Sequence, residues 1–271
     1  MNEIKHEDLK PLADDVRQIA SLAGDKILEI YKTDFSVEQK EDKSPLTAAD
    51  MAAHNTICQA LNKLTPDIPI LSEESSDISF DERHSWNQYW LVDPLDGTRE
   101  FIKRNGEFSV NIALIEAHQS ILGVIHIPVT KICYSASLNN GAYKHEPDKN
   151  AIRINARKTD PDNIIIAGSR SHGNAQQRSF IDNINDPEVL AVGSSLKFCL
   201  VAEGAADIYP RFGPTSEWDS AAAQCIVEEA GGIVVDTKFK TLKYNTKESL
   251  LNPSFLVISD NSYDWAQYLT N

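Results

Sequence analysis

The 271-residue chain contains no apolar run near the ~18 consecutive residues that a membrane span requires. Its first ten residues, MNEIKHEDLK, lack the hydrophobic stretch of a secretory signal. A cytoplasmic protein with no transmembrane segment is expected. Basic residues are also scarce: 26 Lys and Arg stand against 40 Asp and Glu, a net charge of −14. They gather into no basic stripe, which argues against a nucleic-acid polymer as partner. A small anion stays compatible, because a metal or a few local donors reverse the potential of one cleft in an acidic protein. Cysteine is sparse too. Cys58, Cys133, Cys199 and Cys225 lie far apart, and none forms a CxxC or pairs with a nearby His at zinc spacing. Reduced, mostly buried thiols are the expectation.

What is present is a patterned globular chain, 41% hydrophobic. Leu9, Leu12, Val16, Ile19, Ala23, Ile27 and Ile30 recur at steps of three and four, which predicts a helix over residues 8 to about 32. Thr47 caps a second predicted helix, Ala48 to Leu64. From Ile68 to Tyr143 the runs IPIL, YWLVD, FSVNIALIE, ILGVIHIP and KICYSA predict one sizeable sheet. The polar stretch from His145 to Asn163, with Pro147 and Pro161, suggests a subdomain boundary near residue 150. Residues 1–150 then form an α+β subdomain. Residues 151–271, where strand and helix patterns alternate, form an α/β one.

The densest chemical signal is WLVDPLDGTREF, Trp90 to Phe101, in which a strand runs into two aspartates, a proline and a glycine. Strand ends are where α/β proteins place their sites. Pro94 holds Asp93 and Asp96 close, and Gly97-Thr98 opens a short helix whose N–H groups suit an anion. The same tract also reads as a plain turn, with Asp capping and Gly supplying positive φ. Glu73-Glu74 after IPIL and Asp219 at the start of WDSAAAQCIVEEA raise the functional reading, since carboxylates stand at three separate element ends. Taken singly, Glu73 and Glu74 could be a solvated loop, and Asp219 a charge favouring its helix dipole. Oxygen ligands with no His or Cys nearby imply a hard cation, Mg²⁺ before Mn²⁺ or Ca²⁺, and several carboxylates together fit two ions roughly 4 Å apart. Thr47 and Asp50 read as a capping pair, and equally as a group that orients a nucleophilic water if Asp50 faces the cleft.

With SEES and EWDSAAA, the tract WLVDPLDGTREF resembles the Mg²⁺-dependent, lithium-sensitive phosphatase superfamily of inositol monophosphatase and fructose-1,6-bisphosphatase. SPLTAAD, GSRSH and GSSLKFCLVAEGAADIYPRFGPTSEWD are similar to its bacterial 3′(2′),5′-bisphosphate nucleotidase branch. The resemblance implies a layered αβαβα sandwich of the sugar-phosphatase type. It implies two Mg²⁺ ions, or three: Glu73, Asp93 and the Leu95 carbonyl would hold the ion that activates water, and Asp93, Asp96 and Asp219 the second. Thr98 with Asp50 would polarise that water, and the amides of Gly97 and Thr98 would take the scissile phosphate. Glu73, Leu95, Asp96 and Asp219 would thereby also meet the substrate.

For the nucleotide, the same resemblance points to Ser169 and His172 in GSRSH and to Gly193 and Lys197 in GSSLK. Gly193-Ser194-Ser195 between a strand and a helix would offer N–H donors, and Lys197 a cation for a second phosphate. The implied substrate is a small anionic nucleotide, 3′-phosphoadenosine 5′-phosphate, hydrolysed to AMP and phosphate in sulfur assimilation, with phosphoadenylyl sulfate as a related substrate. Association with the inner membrane face occurs in this branch, although the sequence supplies no physical reason for it. Glu217 is expected to add charge near the rim of the site. The competing readings are an inositol- or sugar-phosphate phosphatase with the same metal chemistry, and a non-catalytic metal- or nucleotide-binding regulator. Retention of every proposed ligand disfavours the second.

Overall fold

A computed structural model describes residues 3–34, 36–39, 45–168 and 174–269. Its helices are α1 (Leu9–Tyr31), α2 (Ala48–Leu64), α3 (Phe80–His84), α4 (Thr98–Ile102), α5 (Ala175–Asp182), α6 (Leu196–Ala202) and α7 (Glu217–Glu229). The strands in the first half are β1 (Val37–Gln39), β2 (Pro45–Thr47), β3 (Ile70–Ser72), β4 (Gln88–Asp96), β5 (Ser109–Glu116), β6 (Gln119–Ile127), β7 (Ile132–Ser137) and β8 (Gly141–His145). They are followed by β9 (Ile152–Ile154), β10 (Ile165–Gly168), β11 (Glu188–Ala191), β12 (Ile208–Arg211), β13 (Ile233–Asp236) and β14 (Phe255–Ile258).

Strands β3 to β9 pair in sequence order in a seven-stranded sheet, antiparallel except for β3 beside β4. A second sheet of five strands runs β11-β10-β12-β14-β13, parallel around β10 and antiparallel around β14. Their layering follows from which face each side chain takes. The apolar stripe of α1 (Leu9, Leu12, Val16, Ile27) and that of α2 (Ala53, Ile57, Leu61) share one core with Trp90, Val92, Ile112 and Val124. The alternate residues of the same strands, Tyr89, Leu91, Ala113 and Ile125, join a second core with α6, α7 and the inner face of the five-stranded sheet. A third core, around Phe180, Phe212 and Trp265, covers that sheet's outer face. The order is helices, sheet, helices, sheet, helix: the αβαβα sandwich expected.

Sandwiching explains the near-continuous apolar runs of β4, β5 and β6, since both faces are covered and neither side chain parity meets water. It also explains α7, which lies between two sheets and is buried along Ser220–Val227. Its Ser220-Ala221-Ala222-Ala223 run permits close backbone approach. Opposite it stands Gly123 of β6, where an added Cβ would lie 2.1 Å from the Ala222 carbonyl oxygen. The four cysteines are free thiols, three of them buried. No helix among the described residues is long and apolar enough to cross a membrane.

Candidate active site

Strand parity aims the first carboxylate. Asp93 follows Tyr89 and Leu91 on the α7-facing side of β4, so it points between the sheets and is almost wholly buried. A register shift between Asp93 and Asp96 re-aims the end of the strand, and Asp96 emerges on the same side. Asp219 comes from the first turn of α7. Ligand oxygens of Asp93, Asp96 and Asp219 all lie within 4.8 Å of one another. Glu73, opening a short helical turn after β3, is not one of that tight triple, yet it is the carboxylate with the greatest influence on Asp93.

The crowding has a measurable consequence. Asp93 is held well above the ordinary carboxylate range, by burial first and then by Glu73, Asp96 and Asp219, against the opposing N–H of Leu95 at 3.0 Å. Burial, Asp96 and Glu73 push Asp219 up to about 8, opposed by the Ser216 N–H and a hydrogen bond with Asp93. A cluster of like charges, partly buried and made only of oxygen donors, is satisfied by a hard cation, or by protons in its place. The residues present therefore fit Mg²⁺.

The two readings of Asp50 prove compatible. One oxygen closes the capping box of α2, accepting from the Thr47 N–H at 2.8 Å and its hydroxyl at 2.6 Å. The other accepts from the Thr98 hydroxyl at 3.2 Å. Thr98 Oγ1 also lies 3.3 Å from the Leu95 carbonyl, so its single proton has two acceptors. Asp219 repeats the device in α7, where Ser216 and Asp219 form a capping box. Gly97 adopts φ +91°, and a Cβ there would crowd the Glu107 carbonyl at 3.1 Å and Ser194 at 3.3 Å. The loop is built for glycine.

Beside the carboxylates opens a cleft of ≈ 680 Å³, bounded by Asp96, Gly97, Gly193, Lys197, Arg211 and Asp219 among others. Of the four proposed nucleotide residues, Gly193 and Lys197 line this cleft. Ser169 and His172 lie outside the described residues. Two of the N–H donors of GSSLK are, however, already engaged: the Gly193 N–H donates to Glu107 at 2.9 Å and the Ser195 N–H to Asp96 at 2.6 Å. Lys197 is buried, donates to the Ser194 carbonyl at 2.6 Å and sits 5.2 Å from the centre of the Tyr209 ring. Burial lowers its pKa to about 8, offset in part by Asp96.

One expectation is overturned. Glu217 is not at the rim but fully buried, accepting from the Asn245 N–H at 2.7 Å and lying 3.5 Å from the Lys247 ammonium. Residues near Asn245 fold over the start of α7 and cover it. Arg99 and Arg211, by contrast, line the cleft although sequence reading gave neither a role. Arg211 is steadied by Thr215 and the Pro214 carbonyl.

The charge crowding predicts a pH effect. Asp93 and Asp219 keep their protons to higher pH in the folded chain than in the unfolded one, so the folded state binds more protons and stability falls as pH rises toward about 8. His126 and His145, whose burial lowers each to about 4, contribute the opposite slope only below 6.5. In chelator, the melting temperature is expected to fall between pH 6.5 and 8, and saturating Mg²⁺ to flatten that decline. A Mg²⁺-independent slope in thermal unfolding would argue against cation binding by these carboxylates.

The inositol monophosphatase family model matches residues 8–266, so the chain belongs to the inositol monophosphatase family. It is 48% identical over 248 residues to the 3′(2′),5′-bisphosphate nucleotidase CysQ of Salmonella typhimurium, covering 91% of this chain and 99% of that one. The crystal structure of CysQ from Bacteroides thetaiotaomicron superposes with a TM-score of 0.81 at 40% identity, over 92% of this chain and 97% of that one. An inositol monophosphatase from Thermotoga maritima, at 23% identity, shares the fold with a TM-score of 0.78 over 94% and 95% of the two chains.

Proposed function

We propose that the chain is a Mg²⁺-dependent 3′(2′),5′-bisphosphate nucleotidase that hydrolyses 3′-phosphoadenosine 5′-phosphate to AMP and phosphate in sulfur assimilation, with phosphoadenylyl sulfate as a related substrate. The observation that carries this reading is the 48% identity to curated nucleotidases along nearly their whole length. The carboxylate cluster beside a nucleotide-sized cleft supports it.

Glu73, Asp93 and the Leu95 carbonyl hold one cation in this account, and Asp93, Asp96 and Asp219 the other. When bound, such ions neutralise phosphoryl charge and lower the pKa of water, which suits in-line phosphoryl displacement. The chain's own residues do the rest. The Thr98 hydroxyl donates to Asp50, which leaves its oxygen lone pair to accept a hydrogen bond from the attacking water; as that water's proton passes to Thr98, the Thr98 proton passes to the Asp50 carboxylate. Gly97 and Thr98 present main-chain N–H groups to the scissile phosphate. Gly193 and Lys197 border the nucleotide side, and the roles of Ser169 and His172 toward the nucleotide rest on the family resemblance alone.

Phosphate release from phosphoadenosine phosphate tests the chemistry. Activity is expected with Mg²⁺, loss of it in excess chelator, competition without support by Ca²⁺, whose larger size tolerates looser coordination, and inhibition by Li⁺. Full activity in excess chelator would refute the metal mechanism.

A further inference from the structure

Ser195 stands where three elements meet. It occupies the N-cap position of α6, its side chain turned to other partners, and is 2% exposed. Its hydroxyl oxygen lies 2.8 Å from Asp96 Oδ2, 2.9 Å from the Asp219 main-chain carbonyl oxygen and 2.9 Å from Asn111 Nδ2. A serine hydroxyl has one proton and two lone pairs, and the Asn111 amide nitrogen only donates. One lone pair is therefore taken by Asn111, and the single proton points to Asp96 or to the Asp219 carbonyl. Asn111 is placed by the strand pairing itself. It sits opposite Asp93 in the β4–β5 register and is buried on the same face.

Ser195 is the firmest part of a wider cradle. Asp96 Oδ2 also accepts from the Ser195 N–H at 2.6 Å and the Ser194 hydroxyl at 2.5 Å. Ser194 meets Ser109 at 2.7 Å, and Ser109 lies 3.0 Å from Asn111 Oδ1. Ser194 is held in the left-handed region at φ +53°, a conformation non-glycine residues adopt rarely, and this network holds it there. With Oδ2 accepting from the Ser195 N–H and the Ser194 hydroxyl whichever way the Ser195 proton points, Asp96 keeps one rotamer and Oδ1 is the oxygen left for a cation.

We propose that the Asn111–Ser195 pair is a positioning device for the cation site: it fixes Asp96, on the seven-stranded sheet, against Asp219, on α7, at the separation a shared cation requires. Neither residue touches the substrate or the cation in this role. Elsewhere the sheet and α7 meet through apolar packing, which is non-directional, and through Glu229 at the opposite end of α7, which accepts from the Asn139 and Gly141 N–H groups, both at 2.8 Å. Ser195 adds the direction with two donors: its N–H donates to Asp96, which leaves its hydroxyl proton for the Asp219 carbonyl. This inference rests on the reading that Asp96 and Asp219 hold Mg²⁺.

Calorimetric Mg²⁺ titration of the full metal-free chain tests it, alongside metal-free melting temperature and kcat at saturating Mg²⁺. Ser195→Ala is expected to weaken Mg²⁺ binding by about 10- to 100-fold, the range typical of residues that orient metal ligands. Metal-free melting should change little, and excess Mg²⁺ should restore most of kcat. Asn111→Ala should act in the same direction more weakly, with the double variant no worse than Ser195→Ala alone. Mg²⁺ affinity within twofold of the parent in Ser195→Ala, or losses that multiply in the double variant, would overturn the proposal. If Ser195→Ala does not fold, Asn111→Ala decides by the same criterion. Asp96→Asn separates the two levels: retained Mg²⁺ binding there would refute the cation reading itself, whereas loss there with none in Ser195→Ala would refute only the positioning role.

Discussion

Replacing Asp93 with Asn is expected to lower kcat by about a hundredfold or more, the loss that follows removal of a major electrostatic element of a site. Asp93 is the buried member of the acidic cluster and the one proposed to face both cations. Asparagine keeps its shape and its contact with the Leu95 N–H, but removes the charge that a pair of cations and a phosphate dianion must balance. Stability should move the other way. The metal-free cluster already holds Asp93 well above its ordinary pKa through burial and the neighbouring carboxylates, so a neutral side chain relieves strain. An unchanged or higher metal-free melting temperature is expected beside the kinetic loss. A variant retaining more than a tenth of the parent kcat would defeat the bridging role.

Gly123→Ala is expected to be as damaging to the fold as Asp93→Asn is to chemistry. The new methyl group would lie 2.1 Å from the Ala222 carbonyl oxygen and 2.9 Å from its carbon, both backbone atoms of a helix clamped between two sheets. Neither partner has a flexible end that can yield, so α7 must shift. Overpacking of this kind costs about 3 kcal/mol or more, roughly 6–12 °C in a chain of this size. Because Asp219 rides on α7, Mg²⁺ affinity should fall with stability. A melting temperature within a degree of the parent would show that the two layers slide freely, contrary to this packing.

Much of this arrangement was legible in the sequence because it is local. The stripe of α1, the Thr47 cap of α2 and the apolar runs of β4 to β6 each follow from periodicity within one segment. Asp50 and Thr98 could be paired only through family resemblance, since 48 residues separate them. What stayed hidden depends on chain crossings. Nothing near Ser216-Glu217-Trp218 announces that the segment around Asn245 will cover it, so Glu217 looks like a solvated charge. GSSLK looks like a source of N–H donors because loop-to-helix junctions usually are; that Asp96 and Glu107 would occupy them requires the seven-stranded sheet to be in place. Asn111 reads as an ordinary polar break in an apolar strand, and its partner Ser195 lies 84 residues away.

The metal cluster is common to the family, whereas the substrate defines the branch, so specificity is the sharpest test. The direct measurement is kcat/KM for phosphate release from phosphoadenosine phosphate and from inositol monophosphate, in the same Mg²⁺ buffer with the same enzyme. A nucleotidase should favour the adenosine bisphosphate by at least about a hundredfold, or ~2.7 kcal/mol of transition-state binding. Equal values, or a preference for inositol monophosphate, would contradict the account and leave a sugar-phosphate phosphatase built on the same carboxylates.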